Sequence, residues 1–193
     1  FLNEDEQEIS PMQDKVAELM LLGGLLNSDA RLEQTDKGYQ IIGDPTEGAL
    51  IVAGVKAGVT KEEADAKYKR VSEIPFDSER KMMTTFHENY LPNKIVSFTK
   101  GAPDIVINRC SKIKIADEIL DFTDEMKKEV LEVNSNFSRD ALRVLALAYK
   151  EYDELPKEIS PDNNEIDMTF VGLVGMIDPA RPEAKEAIRK CKE

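Results

Sequence analysis

Apolar residues in the first third of the chain recur at the spacing of amphipathic helices. One such helix is predicted over residues 11–27, and a second begins in the stretch GDPTEGAL at 43–50. In this stretch Asp44 occupies the N-cap, a proline follows at the first helical position, and Glu47 stands third, which is the pattern of a capping box. Between the two helices, the turn residues 36–38 separate β-prone runs and predict a hairpin.

Farther along the chain, alternation of apolar and polar residues predicts most of the strands, and a nearly continuous apolar run at 168–177 predicts a strand that is buried on both faces. The strands are expected at 71–76, 81–88, 94–100, 107–120 (as short pieces), 141–149 and 168–177. Helices are expected to begin at Thr60, Pro103 and Thr123, while the acidic stretch 151–165 is expected to be a surface loop. The fold class that follows is α+β, with a mainly antiparallel sheet of about six strands flanked by helices.

Composition and charge argue against several kinds of function. The net charge of the 193 residues is −12, which disfavours non-specific binding to nucleic acid or to anionic membrane surfaces. The two cysteines are far apart and match no metal-site spacing, which favours a reducing compartment. The lone histidine, His87, lies on a predicted strand and is expected to have an ordinary polar role. Since the chain does not begin with methionine and closes on a new strand–turn–helix unit, we expect a monomeric piece of a longer protein.

The stretch SFTKGAP at 97–103 is the first candidate for binding chemistry. Lys100 and Gly101 end a predicted strand, and Pro103 opens a predicted helix. A helix start offers free N–H groups, glycine permits close approach to the backbone, and lysine adds a cation, so the stretch suits a bound phosphate. A strand–turn–helix with a solvated lysine is also common in proteins, and this second interpretation is the more frequent one.

Three other side chains have two interpretations each. Phe76, at the end of a predicted strand, is either a core residue or an aromatic platform at the mouth of a pocket. Glu47 is either the third-position member of the capping box or a ligand-binding carboxylate. Arg143 interrupts an apolar run, and its charge needs either a salt-bridge partner or a ligand phosphate.

Four stretches, in order along the chain, resemble one known family. They are GDPTEGAL at 43–50, FDSERKMMT at 76–84, KGAP at 100–103 and DPAR at 178–181. Together they resemble the nucleotide-binding domain of P-type cation-transporting ATPases, and the resemblance covers nearly the whole chain. The KGAP motif and the run FVGLVGMIDPAR are most similar to the type II, calcium-pump branch. The resemblance implies a nucleotide-binding domain over 1–174 and the beginning of the phosphorylation domain over 175–193.

The resemblance also implies an ATP-binding pocket. Phe76 would stack on the adenine, and Glu47 would sit near the adenine amino group. Lys81 would lie deep in the adenine pocket, and Lys100 and Gly101 would line the same pocket. An aromatic face, a few placed polar groups and cations towards the phosphates are what a nucleotide site requires.

For the phosphate end of the nucleotide, the resemblance implies a role for Arg143 at the phosphates. Asp178 and Arg181 would act near the interdomain hinge, at the same end of the nucleotide.

Two positions depart from the family pattern. Ala180 stands where the family usually has a second proline, and Ser78 stands where some calcium pumps carry an arginine. Ala180 is expected to loosen the turn while both charged groups of the motif are kept. Because of Ser78, we expect one phosphate contact to be missing or to be supplied by another residue, for instance Arg80.

The activity that the resemblance implies belongs to a larger membrane protein. The family uses ATP with Mg²⁺, phosphorylates an aspartate in an Asp-Lys-Thr-Gly-Thr motif and couples hydrolysis to cation transport, here most similar to calcium transport. Neither that motif nor the family's later Asp-Gly-Xaa-Asn-Asp occurs in this sequence, so we expect no catalytic or metal-binding residue in it, and ATP binding without turnover. The implied partners are the phosphorylation and actuator domains of the same polypeptide, and the implied location is the cytoplasmic side of an integral membrane protein.

Two other functions stay open at this point. The first is a stand-alone nucleotide-binding or regulatory module. The second is a hydrolase resembling the haloacid dehalogenases, with Asp178 as its nucleophile at the end of an apolar strand. Ala180 counts against the second, because an aspartate or threonine is expected there.

Overall fold

The computed structural model describes residues 1–36, 38–177 and 182–192. The helices are α1 (Lys15–Leu26), α2 (Pro45–Lys56), α3 (Lys61–Lys67), α4 (Pro103–Asn108), α5 (Asp124–Arg139), α6 (Pro161–Asn164) and α7 (Pro182–Lys192). The strands are β1 (Arg31–Thr35), β2 (Gly38–Ile42), β3 (Arg70–Asp77), β4 (Met82–Glu88), β5 (Ile95–Gly101), β6 (Cys110–Ile115), β7 (Glu118–Asp121), β8 (Arg143–Tyr152) and β9 (Met168–Met176).

Seven of the strands form one sheet, in the order β3-β4-β5-β8-β9-β6-β7, and β1 and β2 form a separate hairpin. Within the large sheet only β6 and β9 pair in parallel, and the other neighbours are antiparallel. The predicted α+β class with a mainly antiparallel sheet is therefore confirmed. The large sheet has one strand more than the six expected, and β9 runs across the predicted domain boundary at 174/175, which stays a prediction.

Two hydrophobic cores cover the two faces of the sheet. One core includes Leu25, Leu26 and Phe98 and lies beneath α1, while the other includes Val106 and Phe170 and lies towards α4 and α5. The central strands β8 and β9 contribute to both cores, since successive side chains in a strand point to opposite faces. This double burial explains why β9 is almost continuously apolar.

Local capping signals decide where the helices begin. The helix predicted over 11–27 begins only at Lys15, because Pro11–Gln13 form a 3₁₀ turn and Asp14 accepts hydrogen bonds from the first free N–H groups of α1. Asp44 caps α2 and Thr60 caps α3, as predicted. The reciprocal capping box, however, forms at Thr60 and Glu63.

The stretch 151–165 is not simply a surface loop, so that prediction was wrong. It contains α6, and its last residue, Glu165, is completely buried. The carboxylate tolerates burial because it reaches Arg80 and Thr84, which are about eighty positions away in the chain. Among the described residues, no helix is both long and apolar enough to cross a lipid bilayer.

Candidate functional site

A cleft of about 520 Å³ opens where the hairpin and the start of α2 meet the ends of β3, β5 and β8. Its lining combines apolar side chains with both signs of charge, a mixture suited to a ligand that has an apolar and a charged part. The lining residues are Asp29, Ala30, Gly43, Asp44, Thr46, Glu47, Phe76, Met83, Lys100, Arg143 and Leu145. Four of the predicted site residues, Glu47, Phe76, Lys100 and Arg143, are thus brought together, although they are far apart in the sequence.

Lys100 lies at the floor of this cleft and is buried. Its Nζ donates to the backbone carbonyl of Asn27, to Asn27 Oδ1 at 3.1 Å and to Glu47 Oε1 at 2.7 Å. Burial lowers the pKa of Lys100, and the negative charge of Glu47 opposes that shift. The ammonium is therefore committed to acceptors inside the protein and is not directed at the start of α4, where the sequence suggested a phosphate.

Glu47 turns away from its own helix and towards the cleft. Its Oε2 accepts the backbone N–H groups of Asp29 at 2.8 Å and Ala30 at 3.0 Å, while Oε1 accepts from Lys100. Asp44 alone caps the start of α2, through hydrogen bonds from the N–H groups of Thr46 and Glu47. The capping-box interpretation of Glu47 is therefore wrong, and its carboxylate instead ties together α2, β5 and the segment before β1.

Phe76 stands at the mouth of the cleft with 63% of its surface exposed, so it is not a core residue. The pairing of β3 with β4 explains its direction. Ile74 pairs with Thr84 and Asp77 pairs with Met82, so two residues of β3 stand opposite one residue of β4. This is a β-bulge, a feature that bends a strand and redirects a side chain.

Arg143 begins β8 and is exposed beside the start of α2. Its Nη1 donates to the hydroxyl of Thr46, and it forms no salt bridge with a described residue. Hydrogen bonds from Thr46 hold the pKa of Asp44 below its ordinary value, and the charge of Arg143 adds to this. The salt-bridge interpretation of Arg143 therefore finds no support, and its guanidinium borders the cleft with donors to spare.

Lys81 and Gly101 lie outside the lining of the cleft. Lys81 is exposed, at a turn with a left-handed backbone (φ 53°), and so does not lie deep in a pocket. Its backbone is held by hydrogen bonds with Asp77 and Ala102. A Cβ at position 101 would lie 2.4 Å from the carbonyl oxygen of Lys81, so this close approach requires glycine. Their part in ATP binding stays a prediction.

The chain matches the family described as P-type ATPase, cytoplasmic domain N, over residues 15–183. It belongs to this family. Similar proteins include the calcium-transporting ATPase of Bacillus subtilis (41% identical over 191 residues), calcium-transporting ATPase 1 of Bacillus cereus (39% over 192) and calcium-transporting ATPase 1 of Lactococcus lactis (35% over 187). Each alignment covers 97–98% of this chain, but the chain spans only about a fifth of the length of these relatives.

Three further residues of the chain were predicted to act at the phosphate end of the nucleotide, and they have different outcomes. Asp178 and Arg181 lie outside the described residues, and their roles stay predictions. Arg80 is not available as a substitute phosphate ligand, because its guanidinium donates to the carbonyls of Pro75 and Met82 and to Glu165. With only 14% of its side chain exposed, it acts inside the structure.

Asn27 is a residue of the site that the sequence did not reveal. It is completely buried, and its Nδ2 donates to the carbonyls of Met83 at 3.0 Å and Phe98 at 2.7 Å, while its Oδ1 accepts from Lys100. It thereby fixes the lysine relative to β4 and β5. At the end of a helix an asparagine is an ordinary C-cap residue, so nothing local distinguishes it.

Proposed function

We propose that the cleft binds ATP, with the base against Phe76 and the phosphates towards Arg143. The observation that carries the proposal is that an exposed aromatic ring, a buried lysine–glutamate pair and an exposed arginine border one cleft of about 520 Å³. Phe76, Met83 and Leu145 supply the apolar part of the lining. An acidic chain would otherwise repel a polyphosphate, so a local cation at the mouth has a clear purpose.

The parent protein that we propose is a calcium-transporting P-type ATPase of a membrane, with this domain on the cytoplasmic side. The similarity to calcium-transporting ATPases of three bacteria supports this proposal. The N domain would hold ATP, together with Mg²⁺, and hinge closure would deliver the γ-phosphate to an aspartate of the phosphorylation domain. The phosphorylation and actuator domains of the same polypeptide would be its partners.

The chain by itself is proposed to bind ATP without hydrolysing it. Phosphoryl transfer requires an in-line nucleophile and a metal site, and the aspartate motif that supplies the nucleophile in this family is absent from the sequence. Steady release of phosphate by the purified chain that Phe76→Ala abolishes would contradict this part of the proposal.

The test of ATP binding is a calorimetric titration with ATP and, separately, with adenosine. Removing a stacking ring typically costs about 1–3 kcal/mol, so Phe76→Ala is expected to weaken both ligands by roughly 5- to 150-fold. Arg143→Ala is expected to weaken ATP by about tenfold or more, with little effect on adenosine, because the guanidinium would face the phosphates.

Matched controls come from exposed residues outside the cleft. Tyr39→Ala removes a ring that is 72% exposed on the hairpin, and Lys94→Ala removes an exposed cation. Both should leave the two affinities unchanged. ATP binding that is insensitive to Phe76→Ala and Arg143→Ala would mean that the nucleotide binds elsewhere.

A further inference from the structure

We propose that the buried pair Arg80–Glu165 holds the bulge of β3 in the form that points Phe76 into the cleft. Glu165 would then be a positioning residue for nucleotide binding, although it does not line the cleft. The link to the nucleotide rests on the proposed function, whereas the link to the bulge does not.

One guanidinium joins the two strands on either side of the bulge. Pro75 and Phe76 together stand opposite one residue of β4, so the regular pairing is interrupted there. Arg80 Nη2 donates to the carbonyl of Pro75 at 2.6 Å, and Nη1 donates to the carbonyl of Met82 at 2.9 Å. The carbonyl carbon of Pro75 is bonded directly to the nitrogen of Phe76, so this contact fixes the backbone that carries the ring.

Glu165 anchors that guanidinium to the interior of the sheet. Its Oε1 accepts from Arg80 at 3.0 Å and from the hydroxyl of Thr84 at 2.7 Å, and Thr84 shares a hydrogen bond of 2.8 Å with Thr99. The chain of contacts therefore runs from the neighbouring strands β4 and β5, through Glu165 and Arg80, to the bulge.

The cost of burying this carboxylate suggests a function beyond packing. Glu165 is fully buried, and its Oε2 has no hydrogen-bond partner among the described residues. Burial raises its pKa, against the effects of Thr84 and Arg80. A platform held rigid before binding loses less conformational freedom when the base stacks on it, which is a gain in affinity.

The test uses Glu165→Gln and Arg80→Lys, with Glu158→Gln as the control because Glu158 is an exposed carboxylate of the same segment. Lysine keeps the charge of Arg80 but cannot reach its three acceptors in a planar fork. We expect both site variants to weaken adenosine and ATP by the same factor, roughly three- to tenfold, and to leave inorganic tripolyphosphate binding unchanged. Glu158→Gln should match the parent.

A second measurement needs no nucleotide. The chain contains no tryptophan but five tyrosines, so Phe76→Trp places the chain's single tryptophan on the bulge, where it can be excited selectively at the red edge of its absorption. Adding Glu165→Gln or Arg80→Lys to that background should lower its fluorescence anisotropy, at a temperature where all variants are folded by circular dichroism. Adding Glu158→Gln should not.

Unchanged anisotropy together with unchanged adenosine affinity, in variants that are folded but less stable, would overturn the inference and leave the pair a purely structural role. A parent chain that binds neither ATP nor adenosine would overturn the proposed function and the role of Glu165 in nucleotide binding. In that case the anisotropy alone still decides whether the pair holds the bulge.

Discussion

Replacing Glu47 by glutamine removes the counter-charge of Lys100 at the floor of the cleft. The two groups are 2.7 Å apart, and only 9% of the lysine side chain and 14% of the glutamate side chain are exposed. The neutral amide has one acceptor oxygen, whereas the carboxylate now accepts from Lys100 and from two backbone N–H groups. The oxygen of glutamine can accept from the ammonium or from the N–H groups, but not from both sets. Its NH2 group then faces the donors that are left without an acceptor.

The expected loss in the free energy of unfolding depends on the hydrogen-bond partners that each residue retains. Removing one member of a buried ion pair costs about 3–5 kcal/mol, and Lys100 retains the two oxygens of Asn27, so we expect about 3 kcal/mol for Glu47→Gln. Lys100→Met leaves a carboxylate that still accepts two N–H groups beside an open cleft, which should cost about 1–2 kcal/mol. The double variant should be more stable than the sum predicts, by about 2 kcal/mol.

The assay is urea unfolding followed by far-ultraviolet circular dichroism at pH 7.5, arranged as a double-mutant cycle. In a thermal unfolding experiment on a chain of this size, the same loss of about 3 kcal/mol would lower Tm by roughly 6–12 °C. The control cycle uses Lys94→Met and Asp153→Asn, which remove an exposed ion pair of similar length, 2.9 Å, and should show no measurable coupling. A coupling at Glu47 and Lys100 no larger than in this control would refute the pairing.

Two further predictions concern stability. Burial lowers the pKa of His87 to about 4, below its usual 6.5, so protons favour the unfolded chain as the pH falls. Between pH 7.5 and 5 the parent should lose about 2 kcal/mol more of its free energy of unfolding than His87→Gln, and parallel pH curves would contradict this. Gly101→Ala would press a Cβ onto the backbone of Lys81 and should cost about 1–3 kcal/mol in urea unfolding. Gly172→Ala meets only a flexible methionine side chain, at 3.3 Å, and should cost less. If Gly172→Ala costs more than Gly101→Ala, the backbone around Lys81 moves to accept the new Cβ, and the prediction is wrong.

Features that depend on neighbours in the sequence were predictable here. Asp44 and Thr60 cap their helices as expected, because a cap requires only a short polar side chain beside a few free N–H groups. The alternation of apolar residues likewise located most of the strands, and a continuous apolar run located β9. The four motifs identified the family before any contact was known, and they included three of the four predicted residues that meet at the cleft: Glu47, Phe76 and Lys100.

Features that depend on contacts across the sheet were not predictable. Nothing in the residues around Glu165 marks it as buried, because its partners belong to β4 and to the turn before it. The direction of Glu47 could not be read from its helix position, since the N–H groups that it accepts belong to the segment before β1. The bulge at Phe76 results from a register shift between two strands, which the sequence of one strand does not specify.

The two cations of the cleft, Lys100 and Arg143, therefore differ in their surroundings, and the sequence alone could not show this difference. Lys100 is buried and held by Asn27 and Glu47 without any ligand, so a polyphosphate would have to displace contacts that already satisfy it. Arg143 is exposed and makes a single hydroxyl contact, to Thr46, so it can turn towards an anion at little cost. Charge at the floor then shapes the part of the cleft that would receive the base, and charge at the mouth would meet the phosphates. On this reasoning, raising the salt concentration should weaken ATP binding mainly through Arg143, because screening acts far more on exposed charges than on buried pairs.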